Sequence, residues 1–280
     1  MIALPRGREL ELTRVPRVMG ILNVTPDSFS DGGVHFDQLK AVHAAMQMEE
    51  DGVAMIDIGG ESTRPNADPV SADDEIARVV PVIEQIRRRS DVPISIDTTK
   101  AAVAEAALNA GADIINDVSA LRRDAKMRAL AARTRVPVVL MHMRGEPRTM
   151  QSLAKYDDVV NDVARELREF VDDATRAGIA RDQILIDPGI GFAKTGDHNL
   201  EVLARCAELR AIAPVVIGAS RKAFIGKLTG RDAGPERMVG SLAAVAAAFR
   251  GGVSMVRVHD VRPTIDFLKV LAAIDERSHA

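Results

Sequence analysis

The strongest constraint on the fold is a regular alternation of short apolar runs and longer amphipathic stretches along the whole chain. The apolar runs are short and rich in β-branched residues, which is typical of strands buried on both faces. They lie at 18–23, 54–58, 94–97, 114–116, 138–141, 184–187, 215–217 and 255–258. The amphipathic stretches, which predict helices, lie at 38–51, 74–90, 100–110, 124–134, 155–177, 198–212, 235–250 and 264–277.

This alternation predicts an α/β fold. Each connection between strands is long enough for a crossover, so the strands should be parallel. Eight strand–helix units close naturally into a (β/α)8 TIM barrel, and 280 residues suit that fold. A doubly wound open sheet is the alternative, but no two-fold repeat of halves supports it. No linker or change in composition divides the chain, so we predict a single domain over residues 1–280.

Composition excludes several classes of function. The net charge of −3 argues against a nucleic-acid partner, which would require a basic surface. The single cysteine, Cys206, rules out internal disulfides and cysteine-based zinc sites and is typical of a reducing compartment. No apolar run reaches about 18 residues, and no basic segment precedes an apolar one at the start. We therefore expect a soluble, cytoplasmic protein with no membrane partner.

The connections that follow the strands are longer and more polar than those that precede them. In a barrel they all lie at the C-terminal face, where catalytic groups are found. The strand ends carry Asn23, Asp57, Asp97, Asn116, Asp117, His142, Asp187, Lys222, Arg257 and His259. Oxygen acceptors at three neighbouring strand ends suit a flat nitrogen heterocycle with several N–H groups better than a sugar. Helix capping is the alternative for any single aspartate, and we prefer it for Asp124 and Asp197.

Two segments predict contacts with an anion. Residues 214–226 pass from an apolar strand through Gly218, Ala219 and Ser220 into a helix that begins beside two cations, Arg221 and Lys222. Unpaired amides at a helix start favour a bound anion, although a solvent-facing basic helix is the alternative. Arg257 and His259 lie on one side of an extended segment. With Asn23 from the adjoining first strand, they could hold a phosphate or pyrophosphate.

Two long loops, at 23–35 and 59–72, contain much of the remaining polar chemistry. Long loops on the active face predict lids that close over a substrate, with disordered surface loops as the alternative. The sequence contains no Walker loop, no GxGxxG after a strand, no HExxH and no GxSxG elbow. We also find no nucleophile–base pair. The chemistry should therefore depend on a good leaving group and on electrostatic stabilisation.

At these motifs the chain resembles the dihydropteroate synthases, the folate-pathway enzymes that sulfonamides target. The matching segments occur in order over nearly the whole chain. They are GILNVTPDSFSDGG at 20–33, IDIGGESTRP at 56–65, ISIDT at 94–98, IINDVS at 114–119, LMHMRGEPRTMQ at 140–151, LIDPGIGFAKT at 185–195, GASRKAFIG at 218–226 and VRVHDV at 256–261. The resemblance implies condensation of 6-hydroxymethyl-7,8-dihydropterin pyrophosphate with p-aminobenzoate. We expect a dissociative, SN1-like displacement of pyrophosphate.

The resemblance also implies a role for each matching residue. The pterin ring would be bound by Asp97, Asn116, Asp187 and Lys222, with Met141 and Gly218 lining its slot. Pyrophosphate would be held by Asn23, Arg257 and His259, with Mg²⁺ coordinated through Asn23. The aminobenzoate site would be shaped by Phe29, Thr63, Arg64, Pro65 and Phe192, with Lys222 and the helix amides attracting the carboxylate. Asp27 would stabilise a developing pterin cation, and Ser220 belongs to the same substrate-binding set.

The chain departs from the resemblance at one site residue. Many relatives place serine after the lysine of the SRK segment, whereas this chain has Ala223. We expect aminobenzoate binding to be weaker by about 1 kcal/mol for the missing hydrogen bond. The segment after Pro65 also differs, with Asn-Ala-Asp-Pro where relatives commonly have glycine.

Three alternatives remain open at this stage. The helix at 239–249 is apolar almost all round, which predicts a homodimer interface, with tight packing of an alanine-rich helix as the alternative. A pterin-dependent methyltransferase barrel would share the Asp- and Asn-tipped strands, but has no need of the SRK and RVH segments. A non-catalytic pterin-binding paralogue would be expected to lose Asp27, Arg64, Lys222 or His259, and all four are present.

Overall fold

The computed structural model describes residues 1–25, 34–62, 69–146, 149–232 and 234–278, with the backbone alone at 34–37. Two short strands, β1 (Ile2–Ala3) and β2 (Glu9–Leu10), form an antiparallel hairpin. The other eight strands form one parallel sheet. They are β3 (Arg17–Asn23), β4 (Met55–Gly59), β5 (Ile94–Asp97), β6 (Ile114–Asp117), β7 (Val138–Met141), β8 (Ile184–Asp187), β9 (Val216–Ile217) and β10 (Met255–Val258).

The sheet closes into a barrel. Its strand order is β8-β7-β6-β5-β4-β3-β10-β9, and a parallel bridge between Ile186 and Val215 joins the two ends. Every predicted strand agrees with an observed one to within one residue at each end. The predictions of parallel strands and of a single-domain (β/α)8 TIM barrel are therefore confirmed.

Helices cover the outside of the barrel. They are α1 (Val34–Glu50), α2 (Ala72–Arg87), α3 (Ala101–Ala110), α4 (Ala125–Thr134), α5 (Val159–Arg176), α6 (Gly196–Ala204), α7 (Ala223–Thr229), α8 (Met238–Arg250) and α9 (Val261–Ser278). Among the described residues, no helix is long and apolar enough to cross a bilayer.

Local capping explains where the helices differ from their predicted bounds. The carboxylate of Asp158 accepts hydrogen bonds from the amides of Val160 and Asn161, so α5 begins at Val159 instead of residue 155. Asp124 caps α4, as predicted. The capping role predicted for Asp197 is wrong, because Thr195 caps α6 and Asp197 lies in its first turn. The helix predicted at 198–212 stops at Ala204 and continues as the 3-10 turn Cys206–Ala211.

The barrel interior is apolar at its lower end, where the strands begin. Inward-facing side chains from seven of the strands meet there as a closed layer. They are Met19, Met55, Ile114, Val139, Leu185, Val216 and Met255, and Ile2, Leu4 and Leu10 of the N-terminal segment pack beneath them. The hairpin therefore seals the barrel from below, which sequence analysis did not predict. Only the upper end, where the strands finish, is left for a ligand.

A buried carboxylate fixes the seal in place. Asp113 is fully buried and forms ion pairs with Arg6 (2.6 Å), Arg8 and Arg87 (2.9 Å). It also accepts the backbone N–H of Ile94 at 2.9 Å. Because a buried charge is tolerated only when it is paired, Asp113 binds the N-terminal segment tightly to the barrel wall.

Candidate active site

The upper end of the barrel contains one pocket lined by the ends of six strands. Because all strands of the barrel are parallel, the residues at their C-terminal ends meet at the same face. The lining residues are Asp97, Asn116, Val118, Met141, Asp187, Gly189, Ile190, Phe192, Gly218, Lys222 and Arg257. Eight of these are residues that sequence analysis placed in the site. The strand register sets them side by side, with Asp97 opposite Asn116 and Met141 opposite Asp187.

Arg257 is the central side chain of the pocket. Its Nε donates to Oδ2 of Asp57 at 2.6 Å, and its Nη2 donates to Oδ2 of Asp97 at 2.7 Å. Burial would lower the pKa of Arg257, but the carboxylates of Asp57 and Asp97 outweigh that effect and raise it. The guanidinium is therefore a permanent positive charge, held in place by two carboxylates from neighbouring strands.

Asp57 supports the pocket from below its surface. It is fully buried, and its Oδ2 also accepts from Nδ2 of Asn116 at 3.1 Å. Its Oδ1 has no hydrogen-bond partner within the described parts of the chain. One carboxylate thus orients both Asn116 and Arg257. Sequence analysis placed Asp57 at a strand end but gave it no role, because the sequence does not show which side chains share an acceptor.

Two further carboxylates face the pocket itself. Burial raises the pKa of Asp97 to about 7, and the adjacent Arg257 opposes the rise. Burial also raises the pKa of Asp187, although the backbone N–H of Gly189 donates to its Oδ1 at 2.7 Å. Oδ2 of Asp187 and Oδ1 of Asp97 have no hydrogen bond to the described chain. These atoms can accept N–H donors from a ligand.

Lys222 provides the second cation. Burial, followed by repulsion from Arg257, lowers its pKa to about 8. Its ammonium lies 4.3 Å from the centre of the Phe192 ring, within the range of a cation–π interaction. Lys222 also precedes the first residue of α7. A carboxylate at the mouth of the pocket would therefore meet a cation beside an aromatic face.

His259 is oriented by Ser220 and lies outside the lining of this pocket. The backbone N–H of His259 donates to Oγ of Ser220 at 3.2 Å, and Nδ1 lies 3.1 Å from the same oxygen. Burial and the nearby arginines Arg221 and Arg257 lower the pKa of His259 to about 3, so the ring is neutral near pH 7. If the Ser220 hydroxyl donates to Nδ1, the ring carries its proton on Nε2 and can donate it to an anion.

The structure gives different partners to two residues that sequence analysis grouped together. The Arg257 side chain turns into the pocket and His259 contacts Ser220, and their shared role in holding one anion stays a prediction. Asn23 ends β3, which pairs with β10, so it lies at the same face. Asp27, Phe29, Thr63, Arg64 and Pro65 lie outside the described residues, as do residues 26–33 and 63–68 of the two predicted lids. Their roles stay predictions.

A closed eight-stranded barrel with a charged pocket at its C-terminal face defines a (β/α)8-barrel enzyme. Comparison with known proteins makes this assignment specific. The family model described as pterin binding enzyme matches residues 19–259. A curated dihydropteroate synthase of Escherichia coli K12 is 47% identical over 270 residues, covering 96% of this chain and 94% of the relative.

Solved structures agree with the sequence comparison. A Xanthomonas albilineans dihydropteroate synthase with 4-aminobenzoic acid is 47% identical, with a TM-score of 0.87 and 93% of each chain covered. A Yersinia pestis dihydropteroate synthase in a sulfonamide drug complex is 43% identical, with a TM-score of 0.92, covering 99% of this chain and 100% of that one. This chain belongs to the pterin-binding enzyme family and, within it, to the dihydropteroate synthases. It is therefore a transferase, and neither the methyltransferase nor the non-catalytic alternative is favoured.

The carboxylate that Arg257 and Asn116 share predicts a large effect of Asp57→Asn on catalysis. The amide oxygen can still accept both hydrogen bonds, but the substitution removes the negative charge that offsets the buried guanidinium of Arg257. We expect kcat/KM to fall about 10- to 100-fold, the range for loss of one partner of a hydrogen-bonded charge. Steady-state assays of dihydropteroate formation would measure this effect.

The matched control is Asp113→Asn, which alters a buried arginine-binding carboxylate at the opposite end of the barrel. It should reduce stability but leave kcat/KM of the folded enzyme nearly unchanged; equal losses in the two variants would contradict the role given to Asp57.

Proposed function

We propose that this enzyme joins 6-hydroxymethyl-7,8-dihydropterin pyrophosphate to p-aminobenzoate and releases 7,8-dihydropteroate and pyrophosphate. The observation that carries the proposal is the pocket, in which oxygen acceptors from three strands face two cations. A reduced pterin is a flat ring with N–H donors and a carbonyl acceptor along its edge, which suits this set of partners. The 4-aminobenzoic acid in the Xanthomonas albilineans structure supports the second substrate.

The pterin ring would exchange its hydrogen bonds with water for bonds to the pocket walls. Asp97, Asn116 and Asp187 accept or share the ring N–H groups, and Lys222 donates to a ring acceptor. Met141 is buried and lines the same pocket with Gly218. Arg257 remains bonded to Asp57 through Nε while its Nη2 bond to Asp97 is available for exchange. The ring can therefore enter without leaving the guanidinium unpaired.

The pyrophosphate would lie at the rim, toward Asn23 and His259. Nε2–H of the neutral His259 ring donates to a phosphate oxygen, and the fixed charge of Arg257 attracts the anion from the pocket side. These groups bind negative charge without titrating near pH 7. The leaving group is therefore stabilised by its surroundings, with no general acid required.

Asn23 fits the Mg²⁺ that the family resemblance implies. Its carboxamide has no hydrogen bond to the described parts of the chain, so its oxygen can act as a ligand. The described residues contain no cluster of three or more His, Cys, Asp or Glu side chains that could hold a metal. A site with one protein oxygen suits Mg²⁺, which keeps several waters and binds substrate phosphates. Bound there, Mg²⁺ would neutralise part of the pyrophosphate charge.

The displacement would be dissociative. Loss of pyrophosphate from the pterin methylene leaves a delocalised cation, which Asp97 within the pocket and Asp27 from the first loop would stabilise. The arylamine of p-aminobenzoate then attacks the methylene carbon and loses its proton to water. Since a weakly basic amine attacks a cation readily, the site needs no strong base, and sequence analysis found no nucleophile–base pair.

The aminobenzoate would bind between Phe192 and the outer loops. Its carboxylate faces Lys222 and the backbone amides at the start of α7, and Phe29, Thr63, Arg64 and Pro65 would complete the site. Ala223 is exposed at the first position of α7 and has no hydroxyl to offer. The weaker aminobenzoate binding expected from this residue stays a prediction. Sulfonamides resemble the aminobenzoate in shape, so we also propose the enzyme as a sulfonamide target, in line with the Yersinia pestis complex.

We propose a cytoplasmic location for the enzyme. Its only cysteine, Cys206, is buried and unpaired, which suits a reducing compartment. Fractionation of the source cells, with the synthase activity found in the membrane or periplasmic fraction, would contradict it.

The role of Lys222 predicts a pH dependence of aminobenzoate binding. Pyrophosphate release should require both substrates, and the KM for p-aminobenzoate should rise as the pH passes about 8, because the ammonium then loses its proton. Lys222→Met should raise this KM about 10- to 100-fold below pH 8 and abolish its further rise near pH 8. Release of pyrophosphate without p-aminobenzoate would contradict the reaction. A rise in KM near pH 8 that persists in the variant would contradict the role of Lys222 alone.

A dissociative displacement predicts positional isotope exchange. The substrate would carry ¹⁸O at the oxygen that joins its methylene to the pyrophosphate. Reversible cleavage frees the terminal phosphate group of the ion pair to rotate, so the label should spread to the non-bridging positions without p-aminobenzoate. Phosphorus NMR would follow the shift of the labelled oxygen. Retention of the label under conditions where cleavage is reversible would argue for direct displacement by the amine.

We also propose a homodimer formed through the face around α8. Ser241, Ala244, Val245, Ala248 and Phe249 of α8 are buried within the chain, which accounts for much of its apolar character. Val239 in α8 and Leu228 in α7 remain 72% and 64% exposed on helices that pack together. Val239→Glu should therefore yield a monomer by light scattering, while Leu39→Glu, on the exposed side of α1, should leave the mass unchanged. A wild-type monomer at micromolar concentration would refute the proposal.

A further inference from the structure

The loop after β8 forms one wall of the pocket although its backbone is irregular. Gly189, Ile190 and Phe192 line the pocket. Gly189, Gly191 and Ala193 have left-handed backbone angles, with φ of 69°, 85° and 48°. Within the loop, the backbone N–H of Phe192 donates to the carbonyl of Gly189 at 3.0 Å, but left-handed residues do not continue a helix or a strand, so the other buried carbonyls need partners from elsewhere. The position of Phe192 depends on what those partners are.

Lys194 binds two of the carbonyls of this loop. Its side chain is buried, and its Nζ donates to the carbonyl oxygens of Gly189 at 3.2 Å and Phe192 at 3.1 Å. The hydroxyl of Tyr156 donates to the next carbonyl, that of Ala193, at 2.9 Å. Three carbonyls of the loop at 189–193 are therefore fixed by two side chains. A buried lysine turned away from solvent and toward backbone oxygens has no role in the reaction proposed above.

A chain of polar groups behind the loop holds Lys194 in this position. Its Nζ lies 3.0 Å from Nδ1 of His142, which is fully buried, and Nε2 of His142 lies 3.0 Å from Oε2 of Glu166. Glu166 in turn accepts from Nε of Arg144 at 3.1 Å. An ionised carboxylate only accepts, so Nε2 carries the ring proton and Nδ1 is an acceptor. The three N–H groups of the Lys194 ammonium then match three acceptors, which are Nδ1 of His142 and the carbonyl oxygens of Gly189 and Phe192.

The charges of this chain are consistent with that arrangement. Burial, with repulsion from Lys194, lowers the pKa of His142 to about 4, so its ring is neutral. Hydrogen bonds from His142 and Arg144 outweigh burial and lower the pKa of Glu166 to about 2. Burial lowers the pKa of Lys194 to about 7, and Asp187 and Glu166 oppose that fall. Below pH 7 the ammonium therefore carries all three donors.

Close steric contacts hold this loop between the end of β7 and Lys222. A β-carbon at Gly189 would lie 2.0 Å from the carbonyl oxygen of His142, so the loop is pressed against the end of β7. A β-carbon at Gly191 would lie 3.1 Å from Cδ of Lys222. The Phe192 ring faces the ammonium of Lys222. Movement of the loop would therefore displace Phe192 and Lys222 together.

We propose that Lys194 is a positioning residue for p-aminobenzoate: by fixing the carbonyls of the loop at 189–193, it holds Phe192 against Lys222. This proposal rests on the assignment of Phe192 and Lys222 to the aminobenzoate site. Lys194 itself touches neither substrate. It acts through the loop, and His142 and Glu166 act by orienting Lys194.

The test is Lys194→Met, which keeps the length and apolar stem of the side chain but removes all three donors. At pH 6.5 we expect the KM for p-aminobenzoate to rise about 10-fold, while kcat changes less than 3-fold. Phe192→Trp introduces a single tryptophan into a chain that has none. In that background, Lys194→Met should shift the emission to longer wavelength as the ring loses its fixed contact. Lys126→Met, at an exposed lysine of α4, is the matched control and should change neither readout.

The outcomes separate this proposal from the reaction itself. Unchanged KM and emission in folded Lys194→Met would overturn the positioning role, and so would a loss of kcat at constant KM, which indicates only fewer folded molecules. An inactive wild type would instead refute the proposed reaction. If Lys194→Met does not fold, Tyr156→Phe removes one loop contact and should raise the same KM about 2- to 3-fold. Nitrogen NMR of wild-type His142 should show a proton on Nε2; a proton on Nδ1 would also overturn the proposal.

Discussion

The pocket depends on one buried ion-pair arrangement. Arg257 lies on β10, Asp57 on β4 and Asp97 on β5, so a single guanidinium reaches across β3 to join strands on either side of it. Removing a charge from water is costly, and the arrangement is stable because two carboxylates neutralise the cation and Asn116 shares one of them. The same groups that hold the strand ends together are thus the ones presented to a ligand. A ligand that binds therefore replaces some of the hydrogen bonds between charged side chains that already face one another.

The two ends of the barrel use buried charge differently. At the lower end, Asp113 is paired with three arginines and lies beside a layer of apolar side chains sealed by the N-terminal hairpin. Both oxygens of the Asp113 carboxylate are satisfied within the protein, so that end contributes stability. At the upper end, oxygens of Asp97 and Asp187 remain open to a ligand, and burial raises the pKa of both carboxyls. This unsatisfied polarity is what a barrel enzyme retains at its catalytic face.

The loop after β8 shows how a site can require residues that never touch the substrate. Its glycines allow the chain to approach His142 and Lys222 closely, but the same backbone geometry leaves carbonyls without regular partners. Lys194 and Tyr156 satisfy them, and the chain of His142, Glu166 and Arg144 orients Lys194. Rigidity of the pocket wall therefore comes from polar groups behind it and from apolar packing together.

Sequence analysis succeeded where the cause is local and failed where side chains from distant strands meet. The period of the apolar runs predicted all eight barrel strands, because burial of both strand faces leaves a direct pattern in the chain. Strand-end position placed Asp97, Asn116, Asp187 and Lys222 at one pocket, because parallel strands end at one face. By contrast, the pairing of Arg257 with Asp57 and the hairpin that closes the barrel involve partners far apart in sequence.

By itself, then, the sequence determined the strand–helix order, the polar face and the family to which the chain belongs, since each follows from residue type and spacing. Only the tertiary structure decided which partner each polar side chain has: Arg257 turns inward to Asp57 and Asp97, His259 contacts Ser220, and Lys194 faces backbone carbonyls. Those choices depend on distances of a few ångströms between separate elements. Such distances are set by how the barrel closes, and no short stretch of chain encodes them.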